Sequence, residues 1–163
     1  MKKSFAVMAK QDAIKSRFRG RSEHTLDPKG RLNFPSRFKD VLQDYGSETL
    51  MVTSWGEHLR VFPASEWQIF EDKLLSKGRE EPNLSSFIRH VVSGVTECSL
   101  DKQGRLLIPV SLRSEVSIAR DVVLNGMLEF VEVWDQKAWL IEFRKTRENL
   151  AQYGESLAKL GIF

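Results

Sequence analysis

The chain has 163 residues, 41% hydrophobic and 29% charged, with 25 Lys and Arg against 22 Asp and Glu for a net charge of +3. That excludes collagen-like, low-complexity and wholly disordered chains, and one cysteine, Cys98, excludes an intrachain disulfide. No apolar run nears the ~18 residues of a membrane helix, and residues 5–9 are too short for a signal-peptide core of ~7–15, so a cytoplasmic protein is predicted.

The charge is unevenly placed. Residues 1–31 hold nine cations against three anions, a local +6, which leaves −3 for the rest. A basic segment of this kind suits a polyanion partner, although solubility alone can also explain it. In chain order, residues 1–17 read as a basic, disordered extension.

Residues 24–42, HTLDPKGRLNFPSRFKDVL, then return at 98–116 as CSLDKQGRLLIPVSLRSEV. Without a gap, the two stretches share Leu26/Leu100, Asp27/Asp101, Gly30/Gly104, Arg31/Arg105, Leu32/Leu106 and Pro35/Pro109. With a two-residue shift the likeness continues through Val61/Val133, Phe62/Trp134 and Trp67/Trp139. The repeat predicts units at 18–74 and 97–146, joined by a loop and helix at 75–96 and followed by a C-terminal helix and tail at 147–163.

Each unit predicts β-hairpin, helical turn, β-hairpin, helix. The turn-forming residues are Asp27 and Gly30, and again Asp101 and Gly104. The Asp carboxylate accepts backbone N–H bonds, and the Gly supplies the left-handed φ. Pro35 and Pro109 suit the first turn of short helices that bury Phe38, Val41 and Leu42, and Leu112 and Val116. Strands follow near 50–54 and 59–63, and near 122–124 and 128–134, with Asn125-Gly126 read as the second turn. Ser65 and Gln68 form a capping box for one closing helix, and Asp135 is the N-cap of the other. In the joining segment Asn83 caps a helix carrying Phe87, Ile88, Val91 and Val92. At the C-terminal end Leu150, Tyr153, Leu157 and Leu160 make a helical stripe of the sort found in cores or subunit interfaces.

No catalytic constellation stands out. His24, His58 and His90 lack metal-ligand spacing with one another or with Cys98, and phosphate-loop, dinucleotide and nucleophile-elbow motifs are missing, so no cofactor or metal is predicted. Residues 54–58 carry Ser, Glu and His at a predicted turn, where ordinary polar groups suffice. Cys98 aligns with His24 and reads as a small buried hydrophobe. The cations say more. Lys29 and Arg31 sit in and after the first turn with Arg37 at the helix start, and Lys102 and Arg105 mark the second, with Arg113 near the Arg37 position. Arg31 and Arg105 can simply pair with Asp27 and Asp101. As a repeated set they can instead track phosphates and set an arginine fork against a guanine edge of duplex DNA. Aromatic residues do not interleave with them as on a single-strand stacking platform.

The duplicated D-x-x-G-R-L-x-[FI]-P resembles AbrB-like swapped-hairpin β-barrel modules. Two copies, with Phe18-Arg19-Gly20 before the first and Ser93-Gly94 closing the joining helix, resemble the MraZ family of bacterial transcriptional regulators, from about Phe18 to about residue 150. The resemblance implies a mainly β, α+β fold of two pseudo-twofold-related units plus a C-terminal helix. It also implies a DNA-binding regulator that acts mainly as a repressor of its own division and cell-wall promoter, on short direct repeats. The protein would be a nucleoid-associated homo-oligomeric ring, octamer-like, with double-stranded DNA as partner and neither a membrane nor a small-molecule substrate. Arg31 would be the prime DNA contact, with Lys29, Arg37, Arg105, Lys102 and Arg19 as neighbours and Arg89 in the joining helix. Residues 1–16 precede the usual family start. Two rivals are an antitoxin-like interaction module and a small β-barrel enzyme.

Overall fold

The computed structural model describes residues 16–78 and 80–163, so nearly all of the basic extension lies outside the described residues. The first repeat contributes β1 (Arg21–Thr25), β2 (Arg31–Asn33), α1 (Ser36–Tyr45), β3 (Thr49–Ser54), β4 (Leu59–Pro63) and α2 (Ala64–Lys73). A π-helical turn (Leu74–Gly78), α3 (Leu84–Phe87) and a second π-helical turn (Ile88–Val92) join it to the second repeat. There β5 (Thr96–Ser99), β6 (Arg105–Leu107), α4 (Val110–Glu115), β7 (Asp121–Gly126), β8 (Val131–Asp135) and α5 (Gln136–Glu148) follow the same order, and α6 (Leu150–Lys159) closes the chain. The class is mixed α+β, mostly sheet with short helices.

The predicted first hairpin of each repeat opens into an exchange. Asp27 N–H donates to the Arg31 carbonyl and Gly30 N–H to the Asp27 carbonyl, both at 2.9 Å, and beyond that turn β1 and β2 separate. β1 pairs antiparallel with β7 of the other repeat, and β5 pairs with β3. β2 and β6 pair with each other, Leu32 facing Leu106. The large sheet runs β1-β7-β8-β4-β3-β5, which reads the same backwards once each strand is replaced by its repeat counterpart. The local pseudo-twofold axis therefore passes between Leu32 and Leu106, and again between Arg60 and Glu132, which face each other in the β4–β8 pair. One core results, built from both repeats, with Phe34, Phe38, Leu50, Leu106, Ile108 and Leu124 among its most buried side chains.

Phe38, Val41, Leu42, Leu112 and Val116 are buried as their spacing predicts. β3 and β4 begin and end within one residue of the predicted ranges. Three local readings need correction. Asn125-Gly126 is strand, and the turn comes later, where Leu128 adopts φ 70° and Met127 N–H donates to the Phe130 carbonyl. Gly126 is required there because the backbone of Phe18 and Arg19 crosses it; a Cβ would lie 2.5 Å from the Arg19 nitrogen. α2 starts at Ala64 after Pro63, so Ser65 is already inside the helix and caps nothing. Asn83 makes no side-chain cap bond, and the joining helix is one α turn followed by a π-helical turn. Asp135, in contrast, caps α5 by accepting from Lys137 N–H at 3.1 Å. The α6 stripe is uncovered in the single chain, with Leu150 59% and Leu160 74% exposed.

Candidate functional site

The two D-x-x-G-R turns are built alike. In the first, Asp27 Oδ1 accepts from the backbone N–H of Lys29 at 3.0 Å and of Arg31 at 2.9 Å, while Asp27 Oδ2 meets Arg31 Nε at 2.6 Å. In the second, Asp101 Oδ1 accepts from Gln103 and Arg105 N–H, each at 2.9 Å, and Oδ2 meets Arg105 Nε at 2.8 Å. The carboxylate thus closes the turn with one oxygen and orients the guanidinium with the other. The ion pair foreseen as an alternative is present in both copies, yet it engages only Nε, one of five N–H donors on the arginine. The Arg31 side chain stays 30% exposed and that of Arg105 27%. Because the Arg31 N–H and then its guanidinium outweigh the cost of burial, the Asp27 carboxyl titrates below its usual range. Arg105 does the same for Asp101.

A third cation reaches each turn from the opposite repeat. The guanidinium of Arg113, on α4, lies over Gly30, where a Cβ would come within 2.6 Å of its Cζ, and its Nε donates to the Ile108 carbonyl at 3.1 Å. Lys39, on α1, lies over Gly104 in the same way, so that a Cβ there would collide with its Nζ. Both glycines have positive φ, 87° and 75°, so a side chain at either is opposed by backbone conformation and by the covering cation together. The exchange is reinforced by Phe34 N–H donating to the Gly104 carbonyl and Ile108 N–H to the Gly30 carbonyl.

The cations therefore fall into two groups: Lys29, Arg31 and Arg113 around the first turn, and Lys102, Arg105 and Lys39 around the second. Lys39 is absent from the predicted set although the gapless repeat alignment already places it opposite Arg113. Arg37 lies elsewhere, over the Phe38 ring at 5.1 Å and against Gly20, and its charge, after burial, lowers the pKa of His24. Arg19 precedes β1, at the opposite end of that strand from the 27–31 turn. Arg89 is exposed in the joining segment.

The residues with catalytic potential are held in structural contacts. His58 is buried, stacks on Trp134 with ring centroids 4.6 Å apart, and approaches Glu132 with Nε2 3.1 Å from Oε2. His58 Nε2 cannot both accept from Arg60 Nε at 3.3 Å and donate to Glu132; the shorter contact to the carboxylate assigns it the proton. Arg60 is held by the faces of Trp55 at 3.8 Å and Phe130 at 4.6 Å. Burial raises Glu132, but hydrogen bonds from His58 and Trp134 outweigh it and leave the carboxyl below its usual value. Burial pushes the Cys98 thiol up, opposite to the shift that activates a nucleophile.

The family model described as "MraZ protein, putative antitoxin-like" matches residues 17–89 and 91–159, which is most of the chain and both repeats. The chain belongs to the MraZ family. It is 40% identical over 146 residues to a "Transcriptional regulator MraZ" of Desulfitobacterium hafniense, covering 89% of this chain and 99% of that one. A protein of the same name from Syntrophobacter fumaroxidans is 37% identical over 145 residues, covering 89% and 97%. One from Desulforapulum autotrophicum is 38% identical over 147 residues, covering 89% and 99%. The matched range begins at Arg17, so it takes in both cationic turns and both tryptophan-bearing helices of this MraZ chain, α2 and α5.

Proposed function

We propose that this protein is a sequence-specific, double-stranded-DNA-binding transcriptional regulator, and that it represses the promoter of its own division and cell-wall gene cluster. The observation that carries this reading is the pair of interlocked turns, each presenting an aspartate-oriented arginine beside two further cations, in a chain whose relatives are named transcriptional regulators. Lysines track phosphates as point charges, while an arginine fixed at Nε can aim its outer N–H groups at a guanine edge. Arg31 is the principal reader, with Lys29 and Arg113 positioning the backbone. Arg105, Lys102 and Lys39 make the second, weaker contact set, and Arg37 and Arg19, which lie apart from both turns, add only to the general positive charge.

Few base edges can be reached from one chain, so useful affinity comes from several chains on short direct repeats spaced at about one helical turn, ~10 bp. The exposed apolar residues of α6, Leu150, Tyr153 and Leu160, support self-association, and a head-to-tail contact that closes gives a ring. The reading is tested by footprinting the protein on DNA upstream of its own gene. Protection of evenly spaced short repeats is the expected result. Protection independent of sequence, or a stoichiometric protein partner with no DNA binding, overturns it in favour of an interaction module.

A further inference from the structure

The two cationic turns meet at the β2–β6 ribbon. Each turn runs directly into its strand, and the strands are antiparallel, so the turns lie at opposite ends of the ribbon. Burial alternates along both segments: Leu32, Phe34, Leu106 and Ile108 are buried, while Arg31, Asn33, Arg105 and Leu107 face outward. Register fixes the pattern of that outer face. Arg31 stands opposite Leu107 and Asn33 opposite Arg105, and the Cβ atoms of such opposed pairs lie about 4.5–5.5 Å apart. Arg31 and Arg105 therefore occupy one diagonal, about 7–8 Å long, and Asn33 and Leu107 occupy the other.

The pseudo-twofold axis between Leu32 and Leu106 exchanges the members of each diagonal. It carries arginine onto arginine, but asparagine onto leucine. Packing explains neither odd member. Among the described residues the Asn33 side-chain amide has no hydrogen-bond partner, and Leu107 is 52% exposed. A ribbon two strands wide, with about 4.8 Å between strands, fits a major groove about 12 Å across. The cations at its two ends also differ between the repeats, but contacts to phosphate carry no sequence information. Of the outward side chains on the ribbon strands, only Asn33 and Leu107 distinguish one end from the other. A reader symmetric about its own axis matches a symmetric site and accepts it in either orientation, whereas repeats that all run one way demand a polarity.

We propose that Asn33 and Leu107 set the direction in which this chain reads DNA. The Asn33 amide oxygen accepts from N6 of an adenine and its NH2 donates to N7, beside the base met by Arg105. Leu107 packs on a thymine methyl beside the base met by Arg31. This rests on the DNA-binding reading and adds to it the pair of residues that makes the recognised unit asymmetric.

The test uses the full-length protein and a pool of duplexes with a randomised centre, from which bound molecules are recovered and sequenced. The unaltered chain should select a motif whose unit is asymmetric. Leu107→Asn places asparagine at both positions of the diagonal, and the selected unit should become an inverted repeat by gaining a second adenine. Asn33→Leu places leucine at both; preference for the adenine should fall by about tenfold, and the unit should again become symmetric. Both positions are exposed, so the melting temperature should not change in either variant. Retention of the asymmetric unit by either variant overturns the proposal and leaves the DNA-binding reading standing, as does a symmetric unit selected by the unaltered chain. Selection of no motif by the unaltered chain overturns that reading, and this inference with it.

Discussion

The first and second D-x-x-G-R turns share a backbone and an ion pair yet differ in what surrounds them. Where the first turn has Lys29 the second has Gln103, and where the second has Lys102 the first has Pro28. The first is covered by Arg113, which also donates to the Ile108 carbonyl; the second is covered by Lys39 through the far end of a flexible chain. Duplication thus conserves the part that closes the turn, while the two copies differ in rigidity and donor geometry. The first turn is the more preorganised, with two arginines, and the second is a looser cationic surface.

The two repeats should contribute equally to the core they share. Leu32 and Leu106 face each other on the pseudo-axis and are both buried, so Leu32→Ala and Leu106→Ala should each cost about 2–5 kcal/mol in urea unfolding. Two very different values would mean that the repeats do not contribute alike. The glycines separate the turns next. Gly30→Ala meets the anchored Arg113 guanidinium, and Gly104→Ala meets the movable end of Lys39. Both pay for a positive φ, on the order of 1–3 kcal/mol, and Gly30→Ala should be the costlier by the same unfolding measurement.

On DNA, Arg31→Ala should cost about 1–3 kcal/mol of specific binding and Arg105→Ala less, read by anisotropy titration on an operator duplex. Lys29→Ala should weaken all sequences alike and lower the slope of log affinity against log salt by about 1. The smallest effect is one of pH. Asp27 and Asp101 are depressed in the folded state, so their contribution is present above the ordinary carboxylate value of 3.8 and is lost as pH falls below it through the folded values. Protection of the Arg31 and Arg105 amides, measured as exchange relative to the intrinsic rate at each pH, should therefore fall together under acid; a fall at one without the other would show that only one turn depends on its carboxylate.

Much of this was legible from residues. The repeat located both turns, the Asp and Gly within them, and the buried faces of α1 and α4, because those features depend on local spacing. The exchange of strands was not, since β1 paired with β2 and β1 paired with β7 bury the same residues, and only the resemblance pointed to swapped hairpins. Asn125-Gly126 misled because the glycine answers a crossing of the Phe18–Arg19 backbone from far along the chain. The part of the site contributed in exchange, Lys39 over Gly104 and Arg113 over Gly30, was visible only as an aligned pair of cations, with nothing local to say which turn each would cover.

In the proposed function, an aspartate-held arginine fork at the first turn reads sequence while the surrounding charge supplies general affinity. Arg31→Lys keeps the charge and removes the fork. Compared with the unaltered protein on operator and scrambled duplexes at one salt concentration, it should lose most of its preference for the operator while binding the scrambled duplex as before. Operator binding unchanged by Arg31→Lys would contradict the account.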